Sequence, residues 1–326
     1  MKSPLKVRTK EIYQITVPTP FLVGPIHSYL IFGDALTIVD TGPNTEEALI
    51  HMERQLAELE LTPKDIELVV LTHHHPDHIG LVQEFSNAKV IGHPKLKPWL
   101  ERDEQFLKKT RNYFTHFYQE HGVPNKWIEE INRSNNYFMK YTKKASLDMA
   151  VAEGDVIDGL PDWTVIETPG HAQSHISLID EKDGTMIAGD HLISHISSNA
   201  IIEAPYWNET ERPKTLIQYK QALKKCINAV FIYSGHGEAI ENPRELIEKR
   251  LTSMDEKAQI FKRKMDNDPI QTFDLSKKMY PKIYQKQTSL TFSETLGHLD
   301  MLEERGEVYC YKENGSIYYQ KIGNET

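Results

Sequence analysis

The sequence predicts an α/β protein in which side chains able to bind metal follow the ends of buried strands. Short apolar runs rich in β-branched residues, such as Leu68–Leu71, alternate with stretches in which apolar residues recur at helical spacing. Four of these runs lead directly into loops that carry His or Asp. Because an α/β architecture places its sites at such strand ends, we expect these loops to meet at one rim.

Predicted strands define the first part of the chain. Tyr29–Phe32 and Thr37–Val39 are predicted as two strands around the turn Gly33-Asp34. Lys89–Gly92 is predicted as a further strand that closes this half. Similar units of strand, loop and helix recur after residue 150.

Two helices are predicted between these strands. Asn44 and Glu47 have the spacing of a capping box, so we expect a helix to begin there. Its apolar face is predicted to hold Leu49, Met52, Leu56 and Leu59. A second helix is expected soon after His78, with its N-terminal end toward the site and its apolar positions at Ile79, Leu81, Val82 and Phe85.

The most informative motif is Thr-His-His-His-Pro-Asp-His at residues 72–78, directly after the apolar run 68–71. His73 and His75 are two residues apart and can point the same way, while Asp77 and His78 are offset enough to serve a second ion. Pro76 ends strand pairing and favours a turn. Neutral imidazole and carboxylate are ligands that Zn²⁺, Mn²⁺ and Fe²⁺ accept.

Three later motifs place a further His or Asp beyond a predicted strand. The strand at 164–166 leads to Thr168-Pro169-Gly170-His171, the strand at 185–188 to Gly189-Asp190, and the strand at 229–233 to Ser234-Gly235-His236-Gly237. Any one of them alone would be weak, because Asp and Gly are common turn formers. Their order and shared position at strand ends favour a role as ligands.

The pattern His73-x-His75-x-Asp77-His78, followed by the three later motifs in order, resembles the metallo-β-lactamase superfamily over roughly residues 10–240. The resemblance implies a four-layer αββα sandwich with two metal ions, zinc being expected and Mn²⁺ or Fe²⁺ the alternatives. His73, His75 and His171 would hold one ion. Asp77, His78 and His236 would hold the other, with Asp190 bridging the two. Asp40, after the strand 37–39, resembles the family's supporting aspartate and would orient a ligand loop.

Two metal ions about 3.5–4 Å apart can share a water molecule and hold it as hydroxide near neutral pH. Asp77 or Asp190 would act as the catalytic carboxylate that orients this hydroxide and receives a proton. No Ser or Cys nucleophile is then required. Cys226 and Cys310 lie in no motif and are interpreted as structural thiols.

Other histidines lie near these motifs. His74 is expected to point away from the ions. His175, His191 and His195 are assigned to packing or solvent exposure rather than to the substrate.

Residues 95–148 are helix-like and rich in aromatic side chains, and they hold 11 Lys/Arg against 7 Asp/Glu, a local excess of +4. Two interpretations stay open. The aromatic residues form a small core of the insertion's own, or the insertion covers the metal site. In the second case some aromatic residues line an apolar pocket, and basic residues attract an anionic substrate. The aromatic residues are Trp99, Phe106, Tyr113, Phe114, Phe117, Tyr118, Trp127, Tyr137, Phe138 and Tyr141, and the basic ones are Lys108, Lys109, Arg111, Lys143 and Lys144.

The chain is divided into a catalytic domain at 1–242 and a C-terminal domain at 243–326. Thr291-Phe292-Ser293-Glu294 is predicted to be a capping box that opens a helix. Glu313-Asn314-Gly315 predicts a hairpin between Val308–Lys312 and Ser316–Lys321. A helix followed by a hairpin resembles the winged helix found in some members of the superfamily. Because residues 242–326 hold 14 basic and 14 acidic side chains, packing, homodimer formation or completion of the pocket wall is favoured over nucleic-acid binding.

Composition limits the setting in which the protein works. The 326 residues with 39% hydrophobic content can bury a substantial core. Residues Met1–Val7 lack the apolar segment of a signal peptide, and no 18-residue apolar span occurs, so we expect a cytoplasmic protein with no membrane contact. The net charge of −9 argues against a general nucleic-acid binder.

The sequence therefore predicts a metal-dependent hydrolase that cleaves an ester-like bond, with a small anionic thioester, carboxylic ester or lactone as the expected substrate. An endoribonuclease or phosphodiesterase acting on single-stranded RNA is one alternative. A persulfide dioxygenase with a single iron is another, because some members of the superfamily use the same His motif in that way.

Overall fold

Two β-sheets form the centre of the molecule in the computed structural model, which describes residues 12–323. The first sheet has six strands in sequence order, with β1 to β3 antiparallel and β3 to β6 parallel. Its strands are β1 Ile12–Val17, β2 Ile26–Phe32, β3 Leu36–Val39, β4 Leu68–Leu71, β5 Lys89–Gly92 and β6 Met149–Ala150. The strands predicted at 29–32, 37–39, 68–71 and 89–92 are confirmed.

The second sheet has the strand order β10-β9-β8-β7. Its strands are β7 Thr164–Glu167, β8 Ile176–Asp180, β9 Thr185–Gly189 and β10 Phe231–Ser234. Strands β9 and β10 are parallel, and β8 is antiparallel to both β7 and β9. The C-terminal ends of β7, β9 and β10 therefore lie at the same edge of this sheet.

Helices cover the outer faces of the two sheets and form the C-terminal part of the chain. They are α1 Glu46–Ala57, α2 Pro76–Ile79, α3 Lys97–Leu100, α4 Glu104–Glu120, α5 Asn125–Phe138, α6 Thr215–Lys225, α7 Pro243–Lys264, α8 Thr272–Met279 and α9 Thr288–Glu304. The hairpin β11 Val308–Glu313 and β12 Ser316–Lys321 follows α9, as the sequence predicts.

Three apolar clusters separate the layers. The inner cluster joins the facing sides of both sheets, with Val70 and Ile91 from one and Leu178 and Ile187 from the other. A second cluster packs α1 on the outer side of the first sheet. The third joins the outer side of the second sheet to α6 and the C-terminal helices. The four-layer αββα sandwich predicted from the sequence is therefore the fold of this protein.

Helix starts were predicted less accurately than strands. Thr45 rather than Asn44 caps α1, with its side chain accepting a hydrogen bond from Ala48 N. Asn44 instead donates its backbone N–H to Tyr141 O. The predicted capping box at Thr291 is wrong because α9 begins three residues earlier, and Thr291 donates its hydroxyl to Gln287 O inside the helix.

The helix predicted to begin after His78 is also different in the structure. The short helix α2 starts at Pro76, so Asp77 and His78 lie within it, and a separate 3-10 turn follows at Val82–Glu84. Gly80 lies between the two, where an added Cβ would meet Asn44 N at 2.2 Å and Tyr141 O at 2.5 Å. Close packing of two other segments at Gly80 therefore accounts for the interruption.

The insertion at 95–148 consists of helices, as predicted, but its aromatic residues do not form a core of their own. Phe117 and Tyr118 of α4 contact Phe292 of α9 in the third apolar cluster. Trp99 and Phe106 form a separate group with Tyr206. Tyr137, Phe138 and Tyr141 lie at the surface or half-buried.

The C-terminal part contains three helices followed by a hairpin, and its resemblance to a winged helix stays a prediction, as does the division at residue 242. Across residues 12–323, the helices are too short or too polar to traverse a lipid bilayer. The prediction for residues 1–7 lies outside the described residues.

Candidate metal centre

The seven side chains singled out in the sequence come together at one rim of the sandwich. The segment 73–78 follows β4, His171 follows β7, Asp190 follows β9, and His236 follows β10. Backbone hydrogen bonds join the two sheets at this rim, since Ile176 N donates to Thr72 O and His27 N donates to Gly235 O, both at 2.8 Å. The rim is thus assembled by the strand ends themselves.

One group of ligand atoms consists of His73, His75 and His171. His75 Nδ1 lies 3.0 Å from His73 Nε2 and 2.9 Å from His171 Nε2. Three ring nitrogens therefore point at a common centre, and each can present a lone pair to a single cation when its imidazole is neutral.

A second group consists of Asp77, His78 and His236. His236 Nε2 lies 3.3 Å from Asp77 Oδ2. Asp190 lies between the two groups, with Oδ1 3.4 Å from His78 Nε2 and 3.5 Å from His236 Nε2, and Oδ2 3.5 Å from His171 Nε2. One carboxylate therefore faces both groups.

The arrangement of these donor atoms suits the binding of a cation better than it suits hydrogen bonding among the side chains. His78 Nε2, Asp190 Oδ1 and His236 Nε2 are buried without a hydrogen-bond partner, and such buried polar atoms are costly unless something else satisfies them. Two ligands about 2.0–2.1 Å from one tetrahedral ion are about 3.4 Å apart, which agrees with the separations of 3.4 to 3.5 Å around Asp190 and of 3.3 Å between His236 and Asp77.

The opposite ring nitrogens are held by acceptors that orient the imidazoles. His78 Nδ1 lies 2.7 Å from Asp40 Oδ2, His171 Nδ1 donates to Asn199 O at 2.9 Å, and His236 Nδ1 donates to Pro25 O at 2.8 Å. A proton on Nδ1 leaves Nε2 free to bind metal.

Burial and neighbouring charges set the protonation of these groups. Burial, followed by the effect of adjacent imidazoles, holds the pKa of His73 and His75 well below its ordinary value, so both rings are neutral near pH 7. Burial also opposes protonation of His78, but Asp40, Asp190 and Asp77 outweigh it and raise the pKa of His78. The same carboxylates that attract a proton to this ring would attract a cation.

His171 depends on a sharp turn at Gly170. This glycine has φ +134°, and a Cβ there would meet Tyr219 Cα of α6 at 2.5 Å. Only glycine adopts this backbone conformation without strain at so close an approach. The glycine of the Pro-Gly-His motif therefore allows the loop to pack directly against α6, and this contact fixes the position of His171.

The four other histidines singled out in the sequence near the motifs support the rim or lie beside it. His74 points away from the two groups, as expected, and is buried with Nδ1 2.8 Å from Ser174 Oγ and its ring stacked on Trp99. His175 stacks on His73, and its Nε2 accepts from Asp190 N at 3.2 Å. His191 is buried against Tyr219, and His195 is exposed.

Several contacts that organise the rim could not be found from the sequence. Glu203 is buried and accepts a hydrogen bond from Gln173 N, two residues after His171, and another from Tyr206 OH. Tyr206 OH in turn accepts from Trp99 Nε1, which connects Glu203 to the ring stacked on His74. No spacing or motif in the segment around residue 203 marks it in advance.

Comparison with known proteins shows extensive similarity. The family model of the Metallo-beta-lactamase superfamily matches residues 22–236. The probable metallo-hydrolase YqjP of Bacillus subtilis (strain 168) is 40% identical over 319 residues, covering 96% of this chain and 99% of that protein. This curated relative therefore matches nearly the whole chain, including the part after residue 242.

Two solved structures share the fold over almost the full length. A metallo-beta-lactamase family protein of Thermus thermophilus superposes with a TM-score of 0.78 at 25% identity, covering 95% of this chain and 98% of that one. A beta-lactamase domain protein from Burkholderia ambifaria gives a TM-score of 0.76 at 22% identity, covering 95% and 92%.

Proposed function

Because the chain belongs to the metallo-beta-lactamase superfamily and is a metallo-hydrolase, we propose that its seven-residue rim holds two metal ions, zinc in the first instance, and cleaves an ester-like bond. His73, His75 and His171 are assigned to one ion, and Asp77, His78 and His236 to the other. Asp190 is assigned to both.

The observation that carries this proposal is the position of Asp190. Its two oxygens face different groups, with Oδ1 toward His78 and His236 and Oδ2 toward His171. A site for a single ion would not need the second group, whose Asp77, His78 and His236 atoms lie within 4.8 Å of one another. This arrangement favours a dinuclear hydrolase over the alternative with one iron.

Two bound ions would supply an ionised water molecule as the nucleophile and a Lewis acid for the oxygen that gains negative charge. The chain's own contribution is orientation. Asp40, Asn199 and Pro25 hold three of the imidazoles through their outer nitrogens, so that the ligand atoms need little reorganisation.

Asp77 and Asp190 are the carboxylates assigned to proton handling. Both lie at the rim and are almost buried, with side-chain exposures of 10% and 8%. We assign Asp77 to accept the proton released when water attacks the carbonyl carbon and to return it to the departing oxygen or sulfur. Asp190 is assigned to orient the attacking water by accepting a hydrogen bond from it, and it takes up no proton.

A carboxylic ester or thioester is the proposed bond. The expected preference for an anionic substrate receives little support from two of the basic residues named for it. Lys143 forms an ion pair with Glu84, and Lys109 donates to the backbone oxygens of Pro205 and Tyr206. The ester or thioester bond therefore stays part of the proposal, and the negative charge of the substrate stays a prediction.

Metal analysis combined with a substrate panel tests this proposal. Wild-type protein is expected to carry two metal ions per chain and to hydrolyse members of a panel of thioesters, lactones, phosphodiesters and RNA. Asp77→Ala should lose turnover while keeping its circular dichroism spectrum. The matched control Asp34→Ala, in the exposed turn between β2 and β3, should keep both.

Three outcomes would overturn the proposal. Turnover that survives in Asp77→Ala would exclude the assigned mechanism. Activity on RNA alone would indicate the ribonuclease alternative. One iron per chain with O₂ consumption would indicate the dioxygenase alternative.

A further inference from the structure

A group of partly exposed apolar and aromatic side chains lies near the second group of ligands, with Lys140 Nζ over the rings of Tyr137 and Tyr141. Leu22 is 97% exposed, Tyr137 54% and Phe138 39%. Phe21 contacts Phe138 and Tyr141 edge-on, with ring centroids 5.5 Å and 5.2 Å apart. We call Phe21, Leu22, Tyr137, Phe138 and Tyr141 the aromatic ledge. Its members come from two distant segments, the loop between β1 and β2 and the end of α5 with the turn after it.

The first of these segments is attached to the second group of ligands. Pro25, three residues after Leu22, accepts a hydrogen bond from His236 Nδ1 at 2.8 Å. The next residues, which begin β2, also bond to the loop of His236, since His27 N donates to Gly235 O. The loop that carries Phe21 and Leu22 is therefore fixed beside the loop of His236.

The second segment packs against the end of the helix that carries Asp77 and His78. Tyr141 O accepts a hydrogen bond from Asn44 N at 2.8 Å. Gly80, which caps the C-terminal end of α2, lies so close to Tyr141 that an added Cβ would be 2.5 Å from Tyr141 O. Both halves of the aromatic ledge are therefore next to elements that carry the second group of ligands.

Single exposed apolar residues are ordinary on a protein surface, whereas contiguous apolar patches often mark binding sites. In the aromatic ledge, Phe21 contacts Phe138 and Tyr141 instead of turning into the core, and Leu22 projects into solvent next to it. Contact with an apolar ligand would remove this surface from water and be favourable.

We propose that the aromatic ledge binds an apolar acyl chain of the substrate while the ester or thioester carbonyl lies at the metal centre. This inference rests on the proposed function and names its substrate class, an ester or thioester of an acyl group several carbons long. The occupant follows from the continuity of the ledge with the site. A substrate held by its carbonyl beside His236 and Asp77 has its acyl chain within reach of residues attached to those same loops.

Binding of straight-chain carboxylates, the acyl products of such a reaction, tests the inference without relying on turnover. Acetate, butanoate, hexanoate and octanoate are titrated into the zinc-loaded protein by calorimetry. If each added methylene becomes buried on the ledge, Kd should fall about threefold to fourfold per methylene. The kcat/KM for thioesters of the same acids should rise in parallel.

Variants locate the effect. Leu22→Ser and Phe138→Ser should flatten the dependence of Kd on chain length, and both are expected to fold because the replaced side chains are exposed. The matched control is Val230→Ser, which removes an apolar side chain that is 61% exposed just before β10 begins, away from the carboxyl ends of the strands. This control should keep the wild-type dependence.

Several results would overturn the inference. A Kd that does not change from acetate to octanoate would show that no apolar chain is bound. An equal loss in Val230→Ser would show that the ledge is not responsible. Sedimentation with neutral phosphatidylcholine vesicles that depends on Leu22, without a dependence on chain length, would assign the ledge to a lipid surface instead.

The failure of this inference is distinguishable from failure of the proposed function. Hydrolysis of an acetyl thioester without any preference for longer acyl groups would refute the ledge and leave the hydrolase intact. Absence of carboxylate binding and of ester or thioester turnover at every length would refute both.

Discussion

Asp40 lies outside both groups of ligands, yet its carboxylate contacts three atoms that determine the geometry of the site. It accepts hydrogen bonds from Thr72 N and Thr72 Oγ1 at 2.8 and 2.7 Å, and it lies 2.7 Å from His78 Nδ1. Its backbone has φ +61°, in the left-handed region that Asp and Asn tolerate best among residues with a side chain. Asp40 is therefore suited to hold the 72–78 loop, both through the contacts of its carboxylate and through its left-handed backbone conformation.

Replacing this carboxylate by an amide is expected to weaken metal binding. Asp40→Asn keeps the size and tolerates the backbone conformation, but its NH₂ group cannot accept from His78 and Thr72. We expect zinc affinity to fall about 10- to 100-fold, the usual effect of losing such a partner. Competition with a chromophoric chelator measures it, with Asp34→Asn as the control. Equal affinities for the two variants would contradict the role assigned to Asp40.

Glu203 is a second residue with an unusual environment, because its carboxyl group is buried inside the protein. Burial raises its pKa to about 7, and the hydrogen bonds from Gln173 N and Tyr206 OH only partly offset this. In the unfolded chain the same carboxyl titrates near its ordinary value of about 4.3. Between these values the folded state holds a proton that the unfolded state has lost.

The free energy of unfolding should therefore decrease as pH rises from about 5 to about 7 and then level off. The contribution of Glu203 is about 4 kcal/mol at most, from about 1.4 kcal/mol per pKa unit. Glu203→Gln cannot titrate and should lack this decrease. Urea unfolding of both proteins at several pH values, in the presence of a chelator, measures the difference. Parallel curves for the two proteins would show that Glu203 titrates normally.

The seven rim residues could be predicted because each signal is local. Each His or Asp stands directly after an apolar run, and strand ends in an α/β protein converge. Glu203, Pro25 and Asn199 could not be predicted, because their roles depend on contacts between segments distant in sequence. Asn199 and Pro25 also act through backbone oxygens, which no residue type reveals.

Elements of secondary structure show where local patterns mislead. Thr291 and Glu294 have the spacing of a capping box, but the helix continues through them, and the hydroxyl of Thr291 bonds to the preceding turn instead of capping a helix start. The helix expected after His78 ends early because Gly80 is packed between two loops. Strands such as Leu68–Leu71 and Thr185–Gly189 were predicted because each is a continuous apolar run buried between layers. Ile12–Val17, in which polar residues interrupt the apolar pattern, was not predicted.

The turn between β7 and His171 gives a prediction at this scale. Gly170→Ala should lower the free energy of unfolding by more than the about 1–3 kcal/mol of backbone strain, because the methyl group would also overlap the backbone of α6. Gly154→Ala is the matched control, with φ +84° and open space around its Cβ, and should show the strain alone. Chemical unfolding measures the free energy of unfolding of both variants. Equal losses would contradict the argument that packing against α6 adds to the backbone strain.

At the scale of the whole molecule, the C-terminal helices are part of the main body of the protein. Phe117 of the insertion, Leu216 of α6 and Phe292 of α9 belong to one apolar cluster. The aromatic residues of 95–148 could be predicted as helical from their spacing, but their partners, such as Tyr206 for Trp99 and Phe292 for Phe117, lie more than 100 residues away. Their position could therefore not be predicted without the fold.

A buried ion pair joins the catalytic part to these helices. Arg212 Nη1 donates to Asp300 Oδ2 at 2.8 Å, with side-chain exposures of 15% and 2%. Removing one partner should leave an uncompensated buried charge, so Arg212→Met is expected to cost about 3–5 kcal/mol. The double variant Arg212→Met with Asp300→Leu should recover much of this loss.

A double-mutant cycle by urea unfolding at fixed zinc concentration measures the coupling between Arg212 and Asp300. If the double variant is as unstable as the sum of the two single variants, the two charges are not coupled. The C-terminal helices would then be held to the catalytic part by apolar packing alone.

Anomalous X-ray diffraction at the zinc edge tests the central claim most directly. Crystals of the zinc-loaded protein should show two peaks about 3.5–4 Å apart, one among His73, His75 and His171 and the other among Asp77, His78 and His236, with Asp190 between them. A single peak, or peaks away from these side chains, would contradict the account.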